Sequence, residues 1–132
     1  MIENISDEKG NEIANIIYSS FKREGIEFIT NNESSLQLAY MSREAGHKIQ
    51  PHMHLPRNSY IKVTQEVLFI KSGSVRLDLY DNNKVFICSR KLGSGDVIQL
   101  VSGGHGFEMI EMSEIIEVKQ GPYSETRDKE RF

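Results

Sequence analysis

The chain has 132 residues, a length that suits one compact domain and is too short for two ordinary ones. Its hydrophobic share of 38% and charged share of 27% are those of a globular protein, which excludes disordered and membrane classes. A net charge of −3, with no dense cluster of Lys and Arg, argues against nucleic acid as a partner and leaves a small molecule or another protein.

The N-terminal residues lack the basic opening and the apolar run of a secretory signal, and the sequence contains no 18-residue apolar stretch. We therefore expect a cytoplasmic protein with no membrane partner. Cys88 is the single cysteine, which excludes an internal disulfide. It lies in an apolar run typical of a strand, so we expect a small buried hydrophobic side chain rather than a reactive nucleophile.

The first predicted element is one amphipathic helix within residues 1–25. Its apolar side chains recur at helical spacing, and they are Ile13, Ile16, Ile17 and Phe21. Ser6 is placed to cap the N-terminus of this helix, and Gly25 is placed to end it.

After Gly25 the pattern changes to short apolar alternations separated by turn residues, which is typical of an antiparallel sandwich or barrel. Strands are predicted at residues 26–30, 35–42, 48–53, 59–63, 66–71, 74–80, 84–92, 96–101, 105–110 and 114–120. The segments between them carry Asn, Asp, Gly and Ser, as tight connections require. The predicted fold class is all-β, a meander or jelly roll preceded by one helix.

Two histidines, His52 and His54, follow Pro51 with one residue between them. On a strand this spacing places both imidazoles on the same face. Imidazole nitrogen is a ligand for divalent ions such as Fe, Mn, Co, Ni, Cu and Zn. The tripeptide alone fits two exposed polar side chains in a loop equally well.

The spacing around this pair resembles the first motif of the cupin family. Gly46 precedes His52 with five residues between them, and Gly73 follows Glu66 with six between them. Eleven residues separate His54 from Glu66, where the family typically has only a few. A longer loop absorbs such extra residues at a small entropic cost, because closure entropy grows with the logarithm of length.

The stretch from Gly95 to His105 resembles the second cupin motif. Gly95 and Gly103 keep their motif positions, Val101 replaces the family's proline, and His105 arrives one residue early. The pair Gly103-Gly104 can absorb the deletion in a tighter turn, since glycine adopts backbone conformations closed to other residues.

The resemblance implies a single cupin domain over residues 1–132, with a jelly-roll barrel at 26–120 and a polar tail at 121–132. It also implies one bound divalent metal ion: Fe, Mn, Zn, Ni or Co. The implied ligands are His52, His54, Glu66 and His105. The alternative is a degenerate cupin whose polar pocket is only hydrogen-bonded.

Three imidazoles and one carboxylate leave coordination positions open for water or a substrate. The segment 115–123 resembles the closing strand of cupin-type sugar-phosphate isomerases, although an ordinary closing strand also explains it. The resemblance favours an isomerase or epimerase acting on a sugar phosphate or nucleotide sugar. Candidate substrate-binding residues are Arg57, Tyr60 and Lys62, which offer cationic and proton-transferring groups.

Two other functions stay open, an Fe(II)-dependent dioxygenase and a non-catalytic module that binds a small ligand, because cupins host many functions. No catalytic residue is identifiable from the sequence. A homodimer is a further expectation, formed through the N-terminal helix or the strand at 26–30, since open sheet edges are often covered by a second copy.

Overall fold

The computed structural model describes residues 1–126 and 128–132. The described residues form strands and turns and contain no helix, so none of them forms a helix able to cross a membrane. The strands are β1 Ile2–Ser6, β2 Glu12–Ile17, β3 Gly25–Phe28, β4 Ala39–Ser42, β5 Glu66–Ser72, β6 Ser74–Tyr80, β7 Phe86–Gly93, β8 Val97–Leu100, β9 Gly104–Met109 and β10 Glu114–Lys119. The predicted all-β class is confirmed.

The chain divides into two compact units. The first unit comprises Met1–Phe21 and Val63–Phe132, and the second comprises Lys22–Lys62. The organisation of residues 1–132 as a single domain stays a prediction.

The predicted N-terminal helix is wrong, because its residues form the hairpin β1–β2. The carboxylate of Asp7 accepts hydrogen bonds from the backbone N–H groups of Lys9 and Asn11, at 2.9 and 2.8 Å, and Gly10 adopts a φ of 82°. These contacts close a turn where a helix would have continued. All five residues from Ile13 to Ile17 are buried, so the strand shows no alternation, and its apolar spacing coincides with that of a helix.

Two antiparallel sheets form the first unit. One sheet has the strand order β1-β2-β8-β5-β10, and the other has the order β7-β6-β9. Their facing side chains form one apolar core, whose fully buried members include Ile16, Ile70, Leu77, Leu79, Leu92 and Ile98. Cys88 is partly buried and packs against this core. In the described part of the chain, no sheet closes into a barrel.

A row of amide side chains crosses the five-stranded sheet. Asn15 and Gln99 are fully buried, and the Asn15 amide donates a hydrogen bond of 3.2 Å to the Gln99 side-chain oxygen. The Gln99 amide donates in turn to the Gln65 side-chain oxygen at 3.1 Å. The row therefore joins residues of β2 and β8 to the residue that precedes β5.

The chain passes from one sheet to the other at Gly73, between β5 and β6. Gly73 has a φ of 89°, and a Cβ there would lie 2.3 Å from the Oγ of Ser113. Both the positive φ and the close approach exclude a larger residue. The glycine that resembles the cupin turn glycine thus occupies a tight turn.

The second unit contains one two-stranded sheet, in which β3 and β4 pair in antiparallel fashion. The predicted strands at 48–53 and 59–63 do not form, since residues 43–65 contain no strand. Pro51 and Pro56 have no N–H for a sheet ladder, and residues 43–64 are all exposed. A strand without a buried face or a partner has little to stabilise it.

Candidate functional site

Glu66 and His105 come together between the two sheets of the first unit. Glu66 begins β5, and His105 is the second residue of β9. The His105 Nε2 atom lies 3.7 Å from the Glu66 Oε2 atom. The His105 side chain is 32% exposed and the Glu66 side chain is 13% exposed, so the pair is open to solvent on the His105 side.

Strand alternation explains why both side chains point inward. Glu66 shares a face of β5 with Leu68 and Ile70, both of which are buried in the core. His105 shares a face of β9 with Phe107, which packs against the same core. The pair therefore marks the end of the core where apolar residues give way to polar ones.

The turn before His105 depends on glycine. Gly103 has a φ of 73°, and a Cβ there would lie 2.3 Å from the carbonyl oxygen of Tyr80. This close approach to the end of β6 brings β9 into register with it, with His105 opposite Leu79.

A second carboxylate, Glu117 of β10, belongs to the same cluster. Burial, a hydrogen bond with Glu117 and the charge of Glu117 raise the pKa of Glu66 to about 6. Burial also lowers the pKa of His105, which favours the neutral imidazole. The cluster thus combines an imidazole whose neutral form is favoured with two carboxyl groups that share a hydrogen bond.

Lysines flank this cluster on β10 and in the C-terminal segment. Lys119 is the register partner of Glu66, and its Nζ atom lies 3.2 Å from the Asp128 Oδ2 atom. The hydrogen bond with Asp128 raises the pKa of Lys119. The charges of Lys119 and Lys129 act on both Glu66 and His105, and they favour the ionised form of Glu66.

Sequence reasoning missed Glu117, Lys119, Asp128 and Lys129 as members of the cluster. A usable signal was present in β10, where Glu117 and Lys119 alternate with Ile116 and Val118. A period of two places the charged pair on one face. This face lies beside Glu66 only because β10 pairs with β5, and the sequence alone does not predict that pairing.

His52 and His54 lie in the second unit, on the segment without strands. The expectation that a strand aligns them is therefore wrong, although the two rings lie close, with centroids 5.4 Å apart and planes at 71°. The His52 Nδ1 atom lies 2.9 Å from the backbone oxygen of Gln50. Both side chains are exposed.

The predicted substrate-binding residues Arg57, Tyr60 and Lys62 belong to the same exposed segment of the second unit. Tyr60 is 81% exposed. Among residues 1–126 and 128–132, no three His, Cys, Asp or Glu side chains lie close enough together to form a metal-binding group. Within the first unit, the structure brings the predicted ligands Glu66 and His105 together, and within the second unit it brings His52 close to His54.

No match to a known protein was found. Neither a protein-family model, nor a curated protein, nor a solved structure shows significant similarity to the chain. The resemblance to cupins therefore depends on the motif residues themselves. Chemically, the Glu66–His105 pair offers one nitrogen and one oxygen donor to a cation, or a proton-sharing polar pocket to a ligand.

Proposed function

We propose that the chain is a metal-binding cupin that acts on a small molecule, with Glu66 and His105 as ligands of one divalent ion. His52 and His54 are the further ligands that the resemblance implies, and the jelly-roll barrel is part of the same proposal. The observation that supports the metal site is the distance of 3.7 Å between the Glu66 Oε2 and His105 Nε2 atoms. Two donors at about 2.1 Å from one ion lie about 3.4 Å apart at a tetrahedral angle, so only a small movement is needed.

The protonation states of the two groups also support a metal. A metal ligand must present a free lone pair, and the neutral imidazole of His105 does so. Glu66 must lose its proton to bind a cation, and with its pKa raised only to about 6 it still does so at neutral pH. A bound ion would act as a Lewis acid on a substrate oxygen.

For the reaction, we propose isomerisation or epimerisation of a sugar phosphate or nucleotide sugar. The resemblance of residues 115–123 to the closing strand of sugar-phosphate isomerases supports this substrate class. Glu117 lies on that strand and hydrogen-bonds Glu66. We assign to Glu117 the proton transfer between neighbouring carbon atoms that an aldose–ketose shift requires.

Elemental analysis of protein purified without added metal tests the site. We expect close to one equivalent of a divalent metal in the wild type, and loss of most of it in Glu66→Gln and His105→Asn. Glu114→Gln and His47→Asn are matched controls, because Glu114 is an exposed β10 carboxylate paired with Lys71, and His47 is exposed. Metal retained in both site variants would contradict the assignment of Glu66 and His105.

Activity measurements distinguish the three functions. Turnover of a sugar phosphate or nucleotide sugar that disappears in His105→Asn supports the isomerase. Oxygen uptake that iron restores and zinc does not supports the Fe(II) dioxygenase. Ligand-dependent melting without turnover indicates a binding module, since a ligand that binds only the folded state raises the melting temperature.

A metal-free binding pocket is the second candidate, and the hydrogen bond between Glu66 and Glu117 favours it. Two carboxyl groups that share a proton satisfy each other without a cation. In that case the purified protein contains no metal, and Glu66→Gln keeps the hydrogen bond and the stability of the wild type.

A further inference from the structure

One face of the five-stranded sheet carries apolar side chains that point away from the core of the first unit. On β5, Leu68 and Ile70 are buried in that core, so strand alternation turns Val67 and Phe69 to the opposite face. The register of the neighbouring strands continues this face, whose five members form the outer patch. They are Val67 and Phe69 of β5, Val97 of β8, and Ile116 and Val118 of β10.

The members of the outer patch are direct neighbours across the strands. Phe69 lies opposite both Ile116 and Val97, and Val67 lies opposite Val118. On β5 and the edge strand β10, the exposed fraction is 38% for Phe69, 51% for Ile116 and 60% for Val118. Single exposed apolar residues are common on protein surfaces, whereas contiguous ones mark an interaction surface.

A pair of opposite charges lies at one end of the outer patch. Lys71 follows Phe69 on the same face of β5, and its Nζ atom lies 3.7 Å from the Oε1 atom of Glu114 at the start of β10. Both side chains are exposed. A partner that packs on this face must therefore present an anion opposite Lys71 and a cation opposite Glu114.

A second copy of the chain meets this requirement. A two-fold axis that runs parallel to the strands, midway between β5 and β10, places β5 of each copy over β10 of the other. Lys71 then faces Glu114 of the second copy, and Phe69 faces Ile116 of the second copy, because these residues are neighbours across the two strands. Packed sheets keep their strand directions within about 30° of each other, so these contacts are compatible.

We propose that the outer patch is the interface of a homodimer, in which two copies pack these faces against each other about such an axis. An apolar centre with a charged rim is typical of homodimer interfaces. The surface differs from the N-terminal helix and the strand at 26–30, which the sequence suggested for a dimer. The inference is independent of the proposed metal site, because Glu66 lies on the other face of β5.

Analytical ultracentrifugation over a range of protein concentrations tests the inference. We expect the wild type to be a dimer at about 100 µM that dissociates on dilution, since the patch is small for an interface. Val118→Asp places an unpaired charge in the interface and should raise the dissociation constant at least about tenfold. Val85→Asp is the matched control, because Val85 is 59% exposed but precedes β7 of the other sheet. It should change the dissociation constant by less than about twofold.

Charge reversal tests how the two copies are arranged. Lys71→Glu and Glu114→Lys each bring like charges together across the interface, and each should raise the dissociation constant about fivefold. The double variant restores opposite charges between the copies and should recover most of the wild-type affinity. The substituted side chains are exposed, so we expect every variant to keep the wild-type circular dichroism spectrum.

Three results overturn the inference. The first is a wild type that stays monomeric at about 100 µM, which would mean that a second copy is not the occupant of the patch. The second is an equal effect of Val118→Asp and Val85→Asp, and the third is a double charge variant that associates as weakly as the single ones. None of these measurements depends on a bound metal, so they leave the proposed function to its own test.

Discussion

The four predicted metal ligands divide between two regions that differ in how their backbone is held. Glu66 and His105 stand on paired strands of the first unit, next to a buried core. His52 and His54 stand on an exposed segment of the second unit that has no strand partners. The pair with the clearest sequence motif thus has the least backbone pairing. A motif records spacing along the chain, whereas pairing requires a buried face and a neighbouring strand.

The largest expected effect distinguishes a core residue of the first unit from an exposed residue of the second. Ile98→Ala removes a fully buried side chain from the first unit and should lower the free energy of unfolding by about 2–5 kcal/mol. Ile49→Ala in the second unit removes a side chain that is 58% exposed, and its effect should stay within about 0.5 kcal/mol. Denaturant unfolding measures both values, and similar losses would refute the contrast.

Two glycines with positive φ sharpen the comparison. In the first unit, the methyl group that Gly73→Ala adds would clash with the backbone and side chain of Ser113, and alanine would be strained at a φ of 89°. We expect this substitution to lower the free energy of unfolding by about 3 kcal/mol. In the second unit, Gly46 has a φ of 86° and open space around it. We therefore expect Gly46→Ala to lower the free energy of unfolding by only about 1 kcal/mol. Equal losses from unfolding curves would mean that the backbone conformation alone decides the cost.

Metal affinity can compare the two ligand pairs, Glu66 with His105 in the first unit and His52 with His54 in the second. At a hundred times its dissociation constant, a bound metal should raise the free energy of unfolding by about 2.7 kcal/mol. Ligands on paired strands beside a core are held more precisely than ligands on an exposed segment without strand partners. We therefore expect a larger loss of affinity, by calorimetry, in Glu66→Gln and His105→Asn than in His52→Ala and His54→Ala. The reverse order would place the essential ligands in the second unit.

The smallest effect concerns an ion pair between β1 and β7 of the first unit. The Arg90 Nη2 atom lies 2.6 Å from a Glu3 carboxylate oxygen, and this hydrogen bond lowers the pKa of Glu3. A lowered pKa in the folded state stabilises the fold above the ordinary pKa of glutamate, and this stability is lost as the pH falls below it. Because Arg90 is one third exposed, the loss should be about 1 kcal/mol or less. Acid unfolding of Glu3→Gln, which should lack this contribution, measures it.

The sequence predicted the strands from β5 to β10 well, because turn residues such as Gly73 and Gly95 separate them. It did not predict β2, since Ile13 to Ile17 are buried on both faces and mimic a helical period. The predicted strands around His52 and His54 do not form for the opposite reason. Their residues alternate, but neither face of the alternation is buried. Glu66 and His105 were predicted from motif spacing, whereas Glu117 and Lys119 required the register of β10, which only the folded sheet supplies.

The amide row of Asn15, Gln99 and Gln65 has a consequence for assembly of the fold. The Asn15–Gln99 and Gln99–Gln65 hydrogen bonds form together only when β8 lies between β2 and β5 in the observed alignment. A shift of one residue would break these two hydrogen bonds, at a cost of about 0.5–1.5 kcal/mol each. Apolar side chains tolerate misalignment far better than amides do. The row therefore selects one alignment among strands that are distant in the sequence, and with it the position at which Glu66 faces His105.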